Sequence, residues 1–230
     1  MEEVKAFASN FSEQNLATVI IDAQYTYKMP PSLLDKLWPR CPKFCEDLTL
    51  EVDKNGSFEH STYTGFCHAF ELFLFWAAEE RLPYLEVPDD DITEVEISTA
   101  DLGGDNIVEI LADLWAFAAD YSISKLQNEA MKNLLEVLSK VIVGPETLKL
   151  FYCLNDRSQL KTVLLLEVAH GLCCGFYETE DEDTLAKLNG FLTKFAGLVR
   201  GEGLLDPKET SPSRVFVRGD DISAFLVPEE

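Results

Sequence analysis

The stretch NIVEILADLWAFAADYSISKLQNEAMKNLLEVLSKVI, residues 106–142, is the part of the sequence that decides the fold. Its first half carries apolar residues at helical spacing, which places them on one face: Ile107, Ile110, Leu111, Leu114 and Phe117. Ser122 to Ser124 interrupts the pattern, and Ser124 is a suitable N-cap for a second helix. The sequence therefore predicts two consecutive helices, over 106–121 and 125–142, which share a core.

Upstream lies a second apolar segment, AFELFLFWAAEER, at residues 69–81. Its apolar side chains cover nearly every face of a helix, and such a helix belongs in the middle of a fold. We predict that Phe73 and Trp76 are core residues, together with Leu114 and Phe117. Between the two apolar regions, residues 85–105 are rich in Asp, Glu, Pro and Gly, which predicts a long solvated loop with a short strand over 95–99.

The N-terminal part of the sequence has a different character. Residues 17–28, ATVIIDAQYTYK, are rich in β-branched and aromatic residues and predict two strands joined by a tight turn. Pro30 and Pro31 then open a short helix, and Pro42 opens a second short helix around Phe44. Residues 58–64 have the composition of a third strand.

The sequence after residue 142 is mainly helical in pattern. It predicts a helix over 146–154 and a longer helix, capped by Ser158, that continues to about Phe176. The acidic run at 178–183 predicts a solvated loop, and a last helix is expected over 184–199. Near the end, residues 214–218 have strand-like content.

Composition and charge exclude several classes of function. The chain has 230 residues, of which 47% are hydrophobic, and its 19 basic and 41 acidic residues give a net charge of −22. A domain this acidic repels phosphate groups, so we expect no binding to nucleic acid or to anionic membranes. The N-terminus carries acidic residues and no secretory signal pattern, which predicts an intracellular protein of the cytoplasm, the nucleus or both.

The six cysteines are spread along the chain, which is more typical of buried thiols than of a disulfide framework. A zinc site is the alternative, with Cys41, Cys45, His60, Cys67 and His68 as ligands, because structural zinc binds closely spaced ligand pairs. Buried thiols are the simpler interpretation, since the cysteines neighbour aromatic residues. We therefore predict no metal.

No pattern of catalytic residues stands out in the sequence. His170 lies within an apolar helical stretch, and no Gly-x-Ser-x-Gly nucleophile motif is present. The acidic runs at 89–91 and 180–183 lack the central glycine of a calcium-binding loop. Gly103 and Gly104 lack the strand–loop–helix setting of a phosphate site. We predict no catalytic, cofactor-binding or metal-binding residue, no cofactor and no enzymatic activity.

The predicted order is strand, strand, two short helices, strand, apolar helix, long loop and helix pair. This order resembles the BTB/POZ fold, and residues 69–83 are similar to the apolar helix of that family. The helix pair resembles filamentous-fungal BTB/POZ proteins at Asp120, Tyr121, Ile123 and at Leu126 to Asn128. The resemblance implies an α+β fold with a small sheet and a helical cluster over 15–142. It also implies a mainly helical C-terminal extension over 143–230 that packs on it.

The resemblance implies a non-catalytic protein–protein interaction module, a scaffold that binds partner proteins, itself as a homodimer, or both. BTB-like domains commonly dimerise through their N-terminal segment and first helices. In this chain Val4, Phe7 and Phe11 form an apolar stripe within residues 1–16. That stripe suits a second copy or the chain's own domain, and the sequence leaves both open.

Some members of the family are substrate adaptors of cullin-type ubiquitin ligases, which is the alternative function. Those adaptors often carry a hydrophobic-x-Glu tripeptide in the loop after the second short helix. The corresponding loop is expected at residues 46–60, where Thr49 precedes Glu51 and Ser57 precedes Glu59 by two positions. The tripeptide is absent from these two places, so the scaffold interpretation is favoured over a cullin partner. An enzyme ranks third, and a bound metal or cofactor in the purified protein would revive it.

Overall fold

A computed structural model describes residues 17–65, 67–83, 85, 107–200 and 222–229 of the chain. They form an α+β fold with one small sheet and many helices, so the predicted class is confirmed. The strands are β1 (Ala17–Ile21), β2 (Tyr25–Met29) and β3 (Phe58–His60). The helices are α1 (Pro31–Leu37), α2 (Pro42–Asn55), α3 (His68–Glu79), α4 (Ile107–Asp120), α5 (Ser124–Leu138), α6 (Pro145–Phe151), α7 (Gln159–Cys174), α8 (Thr179–Ala186) and α9 (Phe191–Arg200), followed by a 3₁₀ helix at Ile222–Phe225. Within the described ranges, no helix has the length and apolar character needed to cross a membrane.

The chain divides into two compact units. The N-terminal unit contains the described residues up to 85, then 107–130 and 227–229. The C-terminal unit contains 131–200 and 222–226, so the division falls inside α5. The predicted extents 15–142 and 143–230 stay predictions.

The sheet of the N-terminal unit has the strand order β2-β1-β3. β1 pairs antiparallel with β2, and it pairs parallel with β3. The turn between β1 and β2 places Asp22 and Ala23 at positive φ, 51° and 57°. The predicted strand–turn–strand over 17–28 is therefore confirmed. Alternate side chains of β1, Val19 and Ile21, point into the core.

The two predicted short helices are present as α1 and α2, and each begins with a proline in its first turn. α2 is longer than expected, because it continues to Asn55 and ends where Gly56 adopts a left-handed conformation with φ of 80°. The main-chain N–H of Gly56 donates to the carbonyl of Val52 at 2.8 Å. The predicted helix around Phe44, Cys45 and Leu48 is confirmed, whereas the loop expected at 46–60 is wrong for residues 46–55, which belong to α2.

β3 is shorter than the predicted strand over 58–64. The main-chain N–H groups of Thr62, Tyr63 and Thr64 donate to two aspartate side chains and not to a neighbouring strand. The chain therefore leaves the sheet after His60.

The core of the N-terminal unit is a cluster of aromatic rings contributed by α2, β3, α3 and α4. The ring centroids of Phe73 and Phe117 lie 4.7 Å apart, and those of Phe44 and Phe73 lie 5.0 Å apart. The members of this aromatic cluster are Phe44, Phe58, Phe70, Phe73, Phe117 and Tyr121. α3 is buried from Ala69 to Ala77, which confirms that it is the central helix. The four predicted core residues, Phe73, Trp76, Leu114 and Phe117, are all buried.

The C-terminal unit is helical, and α7 is its buried centre. Ser158 caps α7 as predicted, since its hydroxyl oxygen accepts from the main-chain N–H of Lys161 at 3.4 Å. Tyr177 packs directly on Gly171 and donates its hydroxyl to the carbonyl of Val143 at 2.6 Å. A Cβ at residue 171 would lie 2.7 Å from the Tyr177 ring, so this close approach requires glycine.

Two expectations for the C-terminal unit are wrong. The acidic run at 178–183 is not a loop, because most of it forms the first turns of α8. Glu178 and Asp181 form a capping box there, and acidic side chains near a helix N-terminus are favoured by the helix dipole. The helix predicted over 184–199 is two helices, because Gly190 adopts a φ of 77° between α8 and α9.

The two helices predicted over 106–121 and 125–142 are present as α4 and α5. α5 is shorter than predicted, since it ends at Leu138. The predictions for residues 1–16, 86–105 and 214–218 lie outside the described residues.

Replacing Leu114 by alanine tests the core assignment. Leu114 is fully buried in α4, and we expect Leu114→Ala to lower the free energy of unfolding by about 2–5 kcal/mol, as large-to-small core changes do. Leu192→Ala is the matched control, because Leu192 is 61% exposed and such a change costs less than about 0.5 kcal/mol. Urea unfolding followed by circular dichroism measures both. Equal losses in the two variants would contradict the assignment.

Candidate functional site

The structure does not gather the predicted zinc ligands into a metal site. Cys41 and Cys45 are buried at the start of α2, whereas Cys67 and His68 lie at the start of α3. Over the described ranges, no group of three or more His, Cys, Asp or Glu side chains is arranged to hold a metal ion. Burial raises the pKa of Cys41 to about 12 and that of Cys45 to about 11. Both thiols therefore stay protonated at neutral pH.

His60, the remaining predicted ligand, belongs to the aromatic surroundings of the core. Its ring lies edge-on to Phe117 with the centroids 5.1 Å apart, and its Nδ1 is 3.3 Å from the hydroxyl of Tyr121. Burial lowers the pKa of His60, which favours the neutral imidazole. This residue has the environment of a packed histidine.

None of the six cysteines, which all lie in described ranges, is in a disulfide. Burial was predicted for all six, and it is confirmed for Cys41, Cys45 and Cys67. The prediction is wrong for the other three: Cys153 is exposed, and Cys173 and Cys174 are partly exposed. The latter two follow the buried part of α7, where the helix ends.

His170 and Cys174 form a pair near the end of α7. The Cys174 Sγ lies 3.5 Å from the His170 Nε2, and His170 lines a small surface depression together with Val143 and Phe176. A cysteine–histidine pair acts as a nucleophile when its surroundings stabilise a thiolate. The last turn of a helix does the opposite, because the helix dipole places negative potential there. The geometry therefore favours a packed pair over an activated nucleophile.

Lys161 is buried in the C-terminal unit, and it holds the connection between α6 and α7. Its Nζ donates to the carbonyls of Tyr152 and Leu154 at 2.5 and 2.8 Å, and it pairs with Asp156 at 2.9 Å. Lys194 also pairs with Asp156, and hydrogen bonds from the two lysines lower the pKa of Asp156 to about 2. The Lys161 ammonium group therefore directs its three donors at other atoms of the chain, and its role is structural.

Asp113 is the most unusual polar residue of the N-terminal unit, because it is buried in the apolar helix α4. Its carboxylate accepts from the main-chain N–H groups of Tyr63 and Thr64 at 2.8 and 3.1 Å, and from the Thr64 hydroxyl. Asp22 accepts from the N–H and hydroxyl of Thr62 in the same way, at 2.8 and 2.6 Å. Asp113 holds the loop after β3 against α4, and Asp22 holds the same loop against the turn between β1 and β2.

Sequence inspection did not assign this role to Asp113. The signal was available, since an acidic residue stands in the middle of an otherwise buried helical stretch. A buried carboxylate needs hydrogen-bond donors, and a loop with free N–H groups supplies them.

Within the described part of the N-terminal unit, the large apolar side chains that are exposed belong to the first two helices. Trp38, at the end of α1, is 49% exposed, and Leu50, on α2, is 66% exposed. We call the surface that carries Trp38 and Leu50 the α1–α2 face. Two contacts hold these helices to the rest of the unit: Arg40 Nη2 pairs with Glu80 at 2.5 Å, and Lys43 donates to the carbonyl of Asp120 at 2.5 Å. A half-exposed tryptophan is typical of residues that become buried in protein interfaces.

Comparisons with known proteins add no assignment. No family model, no curated protein and no solved structure matches this chain. The α1–α2 face and the fold that carries it are therefore the basis for a functional proposal.

Replacing Asp113 by asparagine tests the buried carboxylate through pH. Burial raises the pKa of Asp113 to about 6, although hydrogen bonds from Thr64 and Tyr63 oppose the rise. The pKa of an aspartate in the unfolded chain is about 3.9. Between about pH 4 and about pH 6 the folded state therefore binds more protons than the unfolded state, and the free energy of unfolding falls as the pH rises through this range.

Asparagine does not titrate, so the stability of Asp113→Asn lacks this contribution. We expect the unfolding free energy of the wild type, relative to the variant, to be about 1–3 kcal/mol larger at the acidic end of this window than above it. Urea unfolding across the window measures the difference. A difference that does not change with pH would show that Asp113 titrates normally.

Proposed function

We propose that this chain is a non-catalytic protein–protein interaction module of the BTB/POZ type, which self-associates, binds partner proteins, or does both. One observation carries the proposal. From β1 to α5, two strands, two helices, a third strand and three further helices follow one another, and this order of elements resembles that of the BTB/POZ fold. The exposed residues Trp38 and Leu50 lie at the end of α1 and on α2. BTB-like domains commonly dimerise through their N-terminal segment and their first helices.

The buried polar groups support an interaction role over a catalytic one. Asp113, Lys161 and His60 each contact other groups of the chain, and those contacts account for their burial. Among the described residues of the N-terminal unit, the large apolar side chains left open to solvent are Trp38 and Leu50, on the α1–α2 face. Such side chains gain free energy when a partner covers them.

Charge sets the conditions for self-association. A net charge of −22 opposes the pairing of two identical chains, and salt at about 0.15 M screens charges more than about 8 Å apart. Self-association should therefore strengthen when salt is added. A different protein would bind this chain more favourably if it presented a basic surface, because that surface would complement the acidic chain. The same net charge repels nucleic acid and anionic membranes, so we propose neither as a partner. We also propose that the protein is intracellular.

Light scattering on the full-length chain at tens of micromolar tests self-association through the α1–α2 face. We expect a dimer whose population rises with salt, and we expect Leu50→Lys to shift it toward monomer, because a buried unpaired charge is costly. Leu192→Lys is the matched control, since Leu192 is equally exposed but lies in the C-terminal unit, and it should leave the dimer intact.

A monomeric wild type would contradict self-association, and equal effects of the two lysine substitutions would place the interface away from the α1–α2 face. A shortened chain that begins at Asn15 lacks residues 1–14, and so it separates the contribution of the apolar stripe of Val4, Phe7 and Phe11. The alternative function, an adaptor of a cullin-type ubiquitin ligase, is tested by a pull-down with a purified cullin. Stoichiometric binding of the cullin would replace the scaffold proposal with the adaptor.

A further inference from the structure

The side chain of Asn128, on α5 in the N-terminal unit, is bound to the end of the chain. Its Oδ1 accepts from the main-chain N–H of Val227 at 2.8 Å, and its Nδ2 donates to the carbonyl of the same residue at 2.9 Å. Nδ2 also donates to Glu229 Oε1 at 3.0 Å. Asn128 is only 3% exposed, so the three hydrogen bonds satisfy a buried amide.

This geometry is a form of main-chain recognition. A side-chain amide carries one acceptor and two donors, and an extended residue presents its N–H and C=O toward the same side. Asn128 therefore pairs with Val227 as a neighbouring strand would. Pro228 reinforces the arrangement, because the residue before a proline is biased toward an extended conformation.

The contacts define what the site accepts. Two of the three hydrogen bonds go to main-chain atoms, which every residue except proline supplies in full. The third requires an acceptor two residues later, and in this chain that acceptor is the carboxylate of Glu229. The ligand is therefore an extended segment with an acidic side chain two positions after the residue that pairs with Asn128.

We propose that Asn128 is the recognition residue of a peptide-docking site, which residues 227–229 of the chain occupy in the absence of a partner. The partner is a protein that supplies an extended segment with the same spacing of an open main-chain residue and a carboxylate. This inference rests on the proposed interaction function and specifies the partner's chemistry for a site away from the α1–α2 face.

Replacement of residues 227–229 by a partner segment is favoured because these residues bury little surface. Val227 is partly exposed, and Pro228 and Glu229 are exposed, so these three residues bury little surface beside their hydrogen bonds to Asn128. The tail belongs to the same chain as its site, which raises its local concentration above that of a free peptide. A partner segment therefore competes best when the tail is weakened or when the partner binds a second surface as well.

Fluorescence anisotropy on the full-length chain tests the site, with a labelled synthetic peptide of residues 222–230 as the probe. Val227→Pro removes the N–H that donates to Asn128, so the tail of this variant leaves the site available. We expect this variant to bind the peptide at least about ten-fold more tightly than the wild type does. Val227→Ala is the matched control: it keeps both main-chain groups and should bind the peptide as weakly as the wild type.

Two further changes assign the binding to Asn128. Adding Asn128→Asp to Val227→Pro replaces the donor with an oxygen that repels the Val227 carbonyl and Glu229, so peptide binding should be lost. A peptide with Glu229→Gln should bind the Val227→Pro variant more weakly than the unaltered peptide. Circular dichroism confirms that each variant is folded.

Equal weak binding by the wild type and the Val227→Pro variant would overturn the proposal, because the tail contact would then be a structural attachment only. Peptide binding that survives Asn128→Asp would overturn the role of Asn128. Light scattering on the same samples keeps the two proposals apart. Loss of the dimer with intact peptide binding would refute self-association alone, and the converse would refute the docking site alone.

Discussion

The aromatic cluster is the interaction on which the N-terminal unit depends. Phe44 contacts Phe58, Phe73 and Phe117 at once, so one ring joins α2 to β3, α3 and α4. Aromatic pairs at these distances add about 0.5–1.5 kcal/mol each beyond the burial of their area. Because α2 is fixed by Phe44 on its buried side, Leu50 is presented on its opposite, solvent-facing side. The core and the α1–α2 face are thus two sides of the same helix.

Much of this core could be predicted from the sequence. The helical spacing around Leu114 and the all-apolar segment around Phe73 were sufficient to identify α3, α4 and their buried residues. The predictions failed where the local composition indicates a loop but the local hydrogen bonds form a helix. Residues 178–183 look like a loop by charge, yet their side chains cap and stabilise a helix N-terminus. The end of α2 was missed because its polar last turns resemble a turn until Gly56 stops the helix.

The polar contacts that shape the candidate sites could not be predicted, because they join distant parts of the chain. Asp113 binds a loop 49 and 50 residues away, and Asn128 binds Val227 across 99 residues. Neither pairing leaves a periodic pattern in the sequence. What the sequence does offer is the anomaly itself, since an acidic residue within an apolar helix requires donors from elsewhere. Such an anomaly identifies the residue, and only the fold identifies its partner.

The central claim is that the chain binds protein through the α1–α2 face, and crosslinking between isotopically distinct copies tests it most directly. Lys36, Lys43 and Lys54 lie on α1 and α2 and are exposed, which suits an amine-reactive crosslinker. An equal mixture of unlabelled and nitrogen-15 chains, crosslinked at tens of micromolar and analysed by mass spectrometry, identifies links between copies by their mixed labels. The account predicts mixed-label links among these three lysines. Mixed-label links confined to lysines after residue 131, or none at all, would contradict it.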